Sequence, residues 1–199
     1  QAGKILDRNG EVLAETIDGE RHYHENYNTR LATLHVVGDN SLNISTAVQS
    51  TYRTDLTGYS YIWGLGLPAT LRSSKDVKLT IDSNVCTQVY EAMGNNNGAA
   101  VVYNYKTGEI LCSVSTATYD PWDPPTITEE NEDEYSGVYV DRVLSGLYPP
   151  GSTFKIVTAA AALENMPDIY ERTFHCDGGI VIGEKEISCM SEHGDIDIR

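Results

Sequence analysis

No run of eighteen apolar residues occurs in the 199-residue chain, and no basic stretch leads into an apolar one, so neither a membrane-spanning helix nor a secretory leader is expected within it. Positive charge is scarce. Fourteen Lys and Arg stand against 29 Asp and Glu, a formal charge of −15, which argues against nucleic-acid phosphate or an anionic membrane surface as the main partner. The acidity reads instead as a solubility feature. No Cys-x2-4-Cys knuckle is found, and the acidic run Thr128 to Glu134 lacks the glycine and spacing of a calcium loop, so that run is read as solvated surface. With 40% apolar and 22% charged residues, wholesale disorder is excluded, and the length allows one large domain or two small ones.

What is present is concentrated in residues 141–164, where helix breakers, a nucleophile, a base and a helix follow in fixed order. Pro149, Pro150 and Gly151 forbid a helix before position 152, whereas the alanine-rich run beyond, with Phe154, Val157 and Leu163 on overlapping faces, favours one. Ser152 therefore falls on the first turn. There the unpaired backbone N–H groups and the positive end of the helix dipole favour negative charge near its oxygen. Lys155 follows one turn later on the same face. A lysine desolvated by an apolar helix has its pKa lowered and can take the serine's proton. The bare spacing is common, about one Ser-x-x-Lys arising by chance in a chain of this composition. Its plain reading is a capping serine beside a solvated lysine.

The context outweighs that reading. Tyr148-Pro149-Pro150-Gly151-Ser152-Thr153-Phe154-Lys155 running into the alanine-rich helix, with Asp141-Arg142 upstream, closely resembles the active-serine motif of class B penicillin-binding proteins, the transpeptidases of peptidoglycan synthesis. Class D β-lactamases and related β-lactam sensor domains also place Ser-Thr-Phe-Lys at a helix start. The opening of the chain separates them. Residues 3–14, Gly-Lys-Ile-Leu-Asp-Arg-Asn-Gly-Glu-Val-Leu-Ala, read as a hairpin turning at Asn9-Gly10. They resemble the signature that follows the membrane anchor in class B penicillin-binding proteins, with Lys4 in place of the usual arginine. Class D β-lactamases have no such segment, and its role is read as structural.

Between these landmarks, Leu34 to Gly38 reads as a short strand closed by a glycine. Asn43 to Leu56 carries Ile44, Val48, Tyr52 and Leu56 on one helical face. The aromatic, glycine-punctuated run Tyr59 to Pro68 is expected to pack between two domains, whose boundary should fall in the polar stretch Arg72 to Asp76. Val77 to Asp82 alternates as a strand; Asp82 or Ser83 then caps a helix through Val85, Val89 and Met93 that Gly94 ends. Ala99 to Tyr105 and Glu109 to Ser115 form a hairpin bent at Lys106-Thr107-Gly108. That triplet is a turn, not the catalytic Lys-Thr-Gly of the superfamily, because it precedes the serine.

Cys86 and Cys112 lie in apolar settings and are expected as buried thiols. Cys176 and Cys189 bracket a glycine-rich, hairpin-like excursion, and a disulfide between them is geometrically plausible. A zinc site from His175, Cys176, Cys189 and His193 is the sharper but less favoured alternative, since the usual knuckle is missing.

The resemblance covers nearly the whole chain in order. It implies an α+β architecture: a small mixed pedestal domain over residues 1–75, followed at 76–199 by the first part of a serine-transpeptidase (β-lactamase-like) domain with an antiparallel sheet and an active-serine helix. Ser152 would be the nucleophile, Lys155 the general base and the Ser152 backbone N–H one oxyanion-hole donor, acting on D-Ala-D-Ala stem peptides and blocked by β-lactams. Asp141-Arg142 would position the loop. No cofactor or metal is implied. The family's Ser-x-Asn and its later Lys-Thr-Gly strand, which carries the second oxyanion donor, do not occur after Ser152, so this chain reads as a piece that is inactive or nearly so by itself. The whole protein is expected at the outer face of the bacterial membrane behind an N-terminal anchor, with a glycan polymerase or other cell-wall synthesis protein docking on the pedestal. A class D-like β-lactamase or sensor, and a purely interacting module, are the alternatives.

Overall fold

A computed structural model, describing residues 2–59 and 74–198, builds its first sheet on the Asp-Arg-Asn-Gly hairpin. Strand β1 (Ile5–Leu6) turns through Asn9-Gly10 into β2 (Val12–Ile17), which pairs antiparallel with β3 (Glu20–Tyr23). On its other edge β1 takes β4 (Val77–Lys78) in parallel, giving the order β3-β2-β1-β4. Regular strand covers only the start of the alternating segment 77–82, yet its backbone stays paired: Leu79 N–H reaches the Leu6 carbonyl at 2.8 Å and Arg8 N–H the Ile81 carbonyl at 2.9 Å.

Residues 34–38 are not a strand, as their apolar run suggests, but the end of helix α1 (Tyr27–Val37) and its closing glycine. Asn26 caps this helix by accepting the Thr29 N–H at 3.0 Å. A short apolar run does not distinguish a strand from a buried helix turn. Here Leu31, Leu34 and Val37 recur at helical spacing and are all buried. The helix expected over 43–56 is broken into α2 (Val48–Thr51) and α3 (Arg53–Thr57). Ile44, Val48 and Leu56 are buried as the period requires, while Tyr52 stands half-exposed at the break. Side-chain bonds from Ser50 to the Ile44 carbonyl and from Thr51 to the Ala47 carbonyl, 2.7 and 3.0 Å, compete with regular helix there.

Helix α4 (Ser83–Met93) begins and ends where the caps place it. Asp82 Oδ1 accepts the N–H groups of Asn84 and Val85, and Gly94 terminates the helix. Strands β5 (Gly98–Tyr103) and β6 (Ile110–Thr116) follow as an antiparallel pair. Gly108, at φ 78°, sits in the bend between them, and its N–H bonds the Asn104 carbonyl at 2.7 Å. Lys106-Thr107-Gly108 is thus a turn. Cys86 of α4 and Cys112 of β6 are fully buried in a cluster with Ile5, Leu13, Ala14, Ala32, Val37, Leu56, Ile81 and Val114. Burial of that size contributes about 1.5–3 kcal/mol per large side chain.

The core therefore draws on residues from both sides of position 75. The chain forms two compact units, 1–147 and 148–199. The aromatic run at 60–68 and residues 72–73 of the expected linker lie outside the described residues. The second unit holds a 3-10 turn (Gly151–Phe154) leading into α5 (Lys155–Asn165), another 3-10 turn (Ile169–Glu171), and strands β7 (Phe174–Cys176), β8 (Gly179–Ile182), β9 (Lys185–Ser188) and β10 (Gly194–Ile196). β7 pairs with β10 and β8 with β9, both antiparallel. The fold is α+β throughout.

Candidate active site

Ser152 is the second residue of the turn Gly151–Phe154, and Lys155 opens α5 directly after it. Pro150 has φ −65° and ψ −24°, which directs the chain into the turn, and Gly151 takes a φ of +53° that only glycine holds without strain. The turn is secured locally. Thr153 donates both its N–H and its hydroxyl to the Pro150 carbonyl, at 3.2 and 2.5 Å. Lys155 N–H bonds the carbonyls of Ser152 and Thr153. Lys155 thus stands three residues after Ser152, at the junction of the turn and α5. The Ser152 N–H lies in the first turn, where a helix supplies no acceptor of its own.

The expected desolvation is not provided by this chain. Ser152 and Lys155 are both exposed, as are Phe154, Ile156, Val157 and Leu163 of the apolar face behind them. α5 has no buried residue. The order along the chain holds, while the dry environment that would make Lys155 a base needs apolar cover for that face.

Asp141 and Arg142 are tied into the first unit. Asp141 is buried, its carboxylate accepts the N–H groups of Val143 (2.9 Å) and Leu144 (3.4 Å), and its carbonyl accepts the Ser145 N–H at 2.8 Å. Arg142 folds back onto the carbonyls of Gly137 and Ser136, and its N–H bonds the hydroxyl of Ser115 in β6. His35, buried beneath this loop, donates its Nε2–H to the Val138 carbonyl at 2.9 Å, and burial holds its pKa below the ordinary histidine value. It is thus a neutral strut. Nothing short of the fold could have associated His35 with residue 138.

Asp7, of the Asp-Arg-Asn-Gly segment, is a hub of hydrogen bonds. Fully buried, it accepts the N–H groups of Asn9 (2.7 Å), Glu11 (2.9 Å) and Ser83 (3.1 Å) and the Ser83 hydroxyl (2.8 Å). Burial alone would raise its pKa, but those hydrogen bonds hold it below the usual carboxylate value.

Cys176 and Cys189 are unbridged in this structure. Each sulfur lies 3.5 Å from His193 Nδ1. His193, then the backbone N–H groups of Gly178 and of His193 itself, lowers the Cys176 thiol to about 7. His175 is engaged elsewhere, with Asp195 at 2.6 Å and Asp177 at 2.8 Å.

A serine on the first turn of an alanine-rich helix, a lysine one turn on, and a separately ordered Asp-Arg loop before it define a serine acyl-transferase scaffold. Residues 98–196 match the family described as the penicillin binding protein transpeptidase domain. The peptidoglycan D,D-transpeptidase PbpA of Mycolicibacterium smegmatis is 35% identical over 102 residues, 45% of this chain and 21% of that protein. Among solved structures, the D,D-transpeptidase domain of a peptidoglycan glycosyltransferase from Eggerthella lenta superposes with a TM-score of 0.77 at 30% identity, covering 99% of this chain and 45% of that one. The imipenem acyl-enzyme complex of penicillin-binding protein A from Mycobacterium tuberculosis gives a TM-score of 0.73 at 25% identity, covering 100% of this chain and 51% of that one. The chain belongs to the class B penicillin-binding proteins, as their transpeptidase-domain sequence and fold. It spans between 15% and 31% of the length of the curated relatives it matches.

Proposed function

We propose that the protein of which this chain forms part is a peptidoglycan D,D-transpeptidase in which Ser152 is acylated. The supporting observation is Ser152 on the turn that leads into the helix, with Lys155 three residues later at the start of that helix, inside a segment that matches the transpeptidase family. Lys155 takes the hydroxyl proton as the serine oxygen attacks the carbonyl of the penultimate D-alanine of a stem peptide. The Ser152 N–H, with a second donor, stabilises the oxyanion that forms. Collapse of the tetrahedral intermediate expels the terminal D-alanine, which leaves with a proton, and an acceptor amine on a neighbouring strand then takes the acyl group. A β-lactam, by imitating D-Ala-D-Ala, leaves the same serine blocked. In this reading residues 1–75 are the pedestal, which meets a cell-wall synthesis partner, and the protein works at the outer face of the membrane.

The test is labelling of the whole protein with a fluorescent penicillin. A stable adduct on a peptide containing Ser152 is expected; Ser152→Ala should abolish it, and Lys155→Ala should slow acylation by about 10²–10⁴-fold. Rapid penicillin hydrolysis instead would favour a β-lactamase. The 199-residue chain alone, with Lys155 in water, should label little or not at all.

A further inference from the structure

In the first unit, one buried polar atom belongs to a cation with no carboxylate bonded to it among the described residues. Arg21, in β3, donates Nε–H to Gln49 Oε1 at 2.8 Å, and Nη1–H to the Gly3 carbonyl at 2.7 Å and Thr16 Oγ1 at 3.2 Å. All three acceptors are neutral. Its Nη2 is buried and has no acceptor among the described residues. Carboxylates of this region are engaged elsewhere, Glu15 with Lys4 at 2.7 Å and Asp55 with Lys75 at 2.9 Å, and residues 60–73 contain no Asp or Glu. Burial pulls the Arg21 pKa below the ordinary arginine value. A desolvated charge with an orphaned donor calls for an acceptor from outside the chain.

The same side chain walls a cavity of about 300 Å³, lined also by Arg53, by Asn40 and Thr57, and by Leu42 and Leu56, with no Asp or Glu in its wall. In a chain with 29 acidic and 14 basic residues, two arginines without a carboxylate make a local preference for anions. Arg53 is exposed and in no ion pair among the described residues. The volume lies at the small end of ligand sites, whose walls likewise combine apolar side chains with a few placed polar groups. Leu42 takes a φ of 60°, a left-handed conformation that strains a leucine and that binding sites commonly retain.

We propose that this cavity binds a small carboxylate carried on an apolar body. The carboxylate displaces the cover over Arg21 Nη2 and accepts its N–H, the exposed guanidinium of Arg53 turns in over the second oxygen, and the body lies against Leu42 and Leu56. Because Nε and Nη1 of Arg21 are already fixed, its planar fork is oriented in advance and little freedom is lost on binding. The site lies within the first unit and is independent of the acyl-transfer reading.

Titration of the isotope-labelled 199-residue chain at low ionic strength with N-acetyl-leucine, its uncharged amide and inorganic phosphate, followed by two-dimensional NMR, tests this. Expected is one saturable site for N-acetyl-leucine, with shifts at the backbone amides of Asn40, Leu42 and Thr57 and at the Arg21 Nε–H. The amide, lacking the charge, and phosphate, lacking the apolar body, should each bind at least about 10-fold more weakly. Arg53→Gln should lower the affinity for N-acetyl-leucine by about 3–10-fold, and Arg21→Lys by at least about 10-fold. The comparison of acid with amide on the unsubstituted chain decides the matter even where Arg21→Lys misfolds. No saturable shift at these groups, equal binding of acid and amide, phosphate binding as tightly as the acid, or shifts scattered over surface lysines would overturn the site. So would an affinity unchanged by both substitutions.

Discussion

Asp7 concentrates more of the architecture than any other polar side chain of the first unit. Its four hydrogen bonds join the hairpin turn at residues 9–11 to the start of α4 at Ser83. Each bond to a buried charge contributes about 1.5–3 kcal/mol, and an amide in its place cannot accept them all. Asp7→Asn is therefore expected to cost about 2–4 kcal/mol at pH 7, read from the urea midpoint. The sign with pH follows from the lowered carboxyl pKa: the contribution is whole above the ordinary carboxylate value and vanishes as pH falls through the folded-state value. The parent and Asp7→Asn curves should converge below about pH 4. A difference that stays constant from pH 7 to pH 3 would show that packing, not charge, is lost.

At the scale of elements, α4 and α5 are both helices Ser83–Met93 and Lys155–Asn165 of eleven residues with opposite circumstances. α4 is capped by Asp82 and packs with α1 and β6, whereas α5 has no side-chain cap and no buried residue. A helix of this length without tertiary support is marginal in water. Hydrogen exchange of this chain should find the amides of α5 exchanging at least about 100-fold faster than those of the middle of α4. Equal protection would mean that α5 is covered in solution. The same contrast bears on Lys155, whose proposed role as a base would depend on cover that its own helix does not supply.

For the molecule as a whole, the core joins residues on both sides of position 75. β1 pairs with β4, and Ala32 and Val37 of α1 share a cluster with Cys86, Cys112 and Val114. Removing α1 would uncover the apolar side of α4 and β6, each large buried side chain being worth about 2–5 kcal/mol when its contacts are lost. A version beginning at residue 76 should therefore lose the cooperative thermal transition of the full chain, by far-UV circular dichroism. A cooperative melt of residues 76–199 alone would instead establish the pedestal as a separately folding body.

The amino-acid sequence by itself determined the features whose causes lie within a few residues: the Asn9-Gly10 turn, the Asp82 cap and Gly94 stop, the bend at Gly108, and the breakers that put Ser152 on a first turn ahead of Lys155. Caps, turns and helical faces act over one to four positions, and residue chemistry there is nearly sufficient. Only the tertiary structure decided that Leu34 to Val37 is helix, that residues on both sides of position 75 share a core cluster, that Lys155 stands in water, and that His193 lies equidistant from two cysteines. Those outcomes depend on which distant surface covers each group, and burial is a property of the whole packed chain.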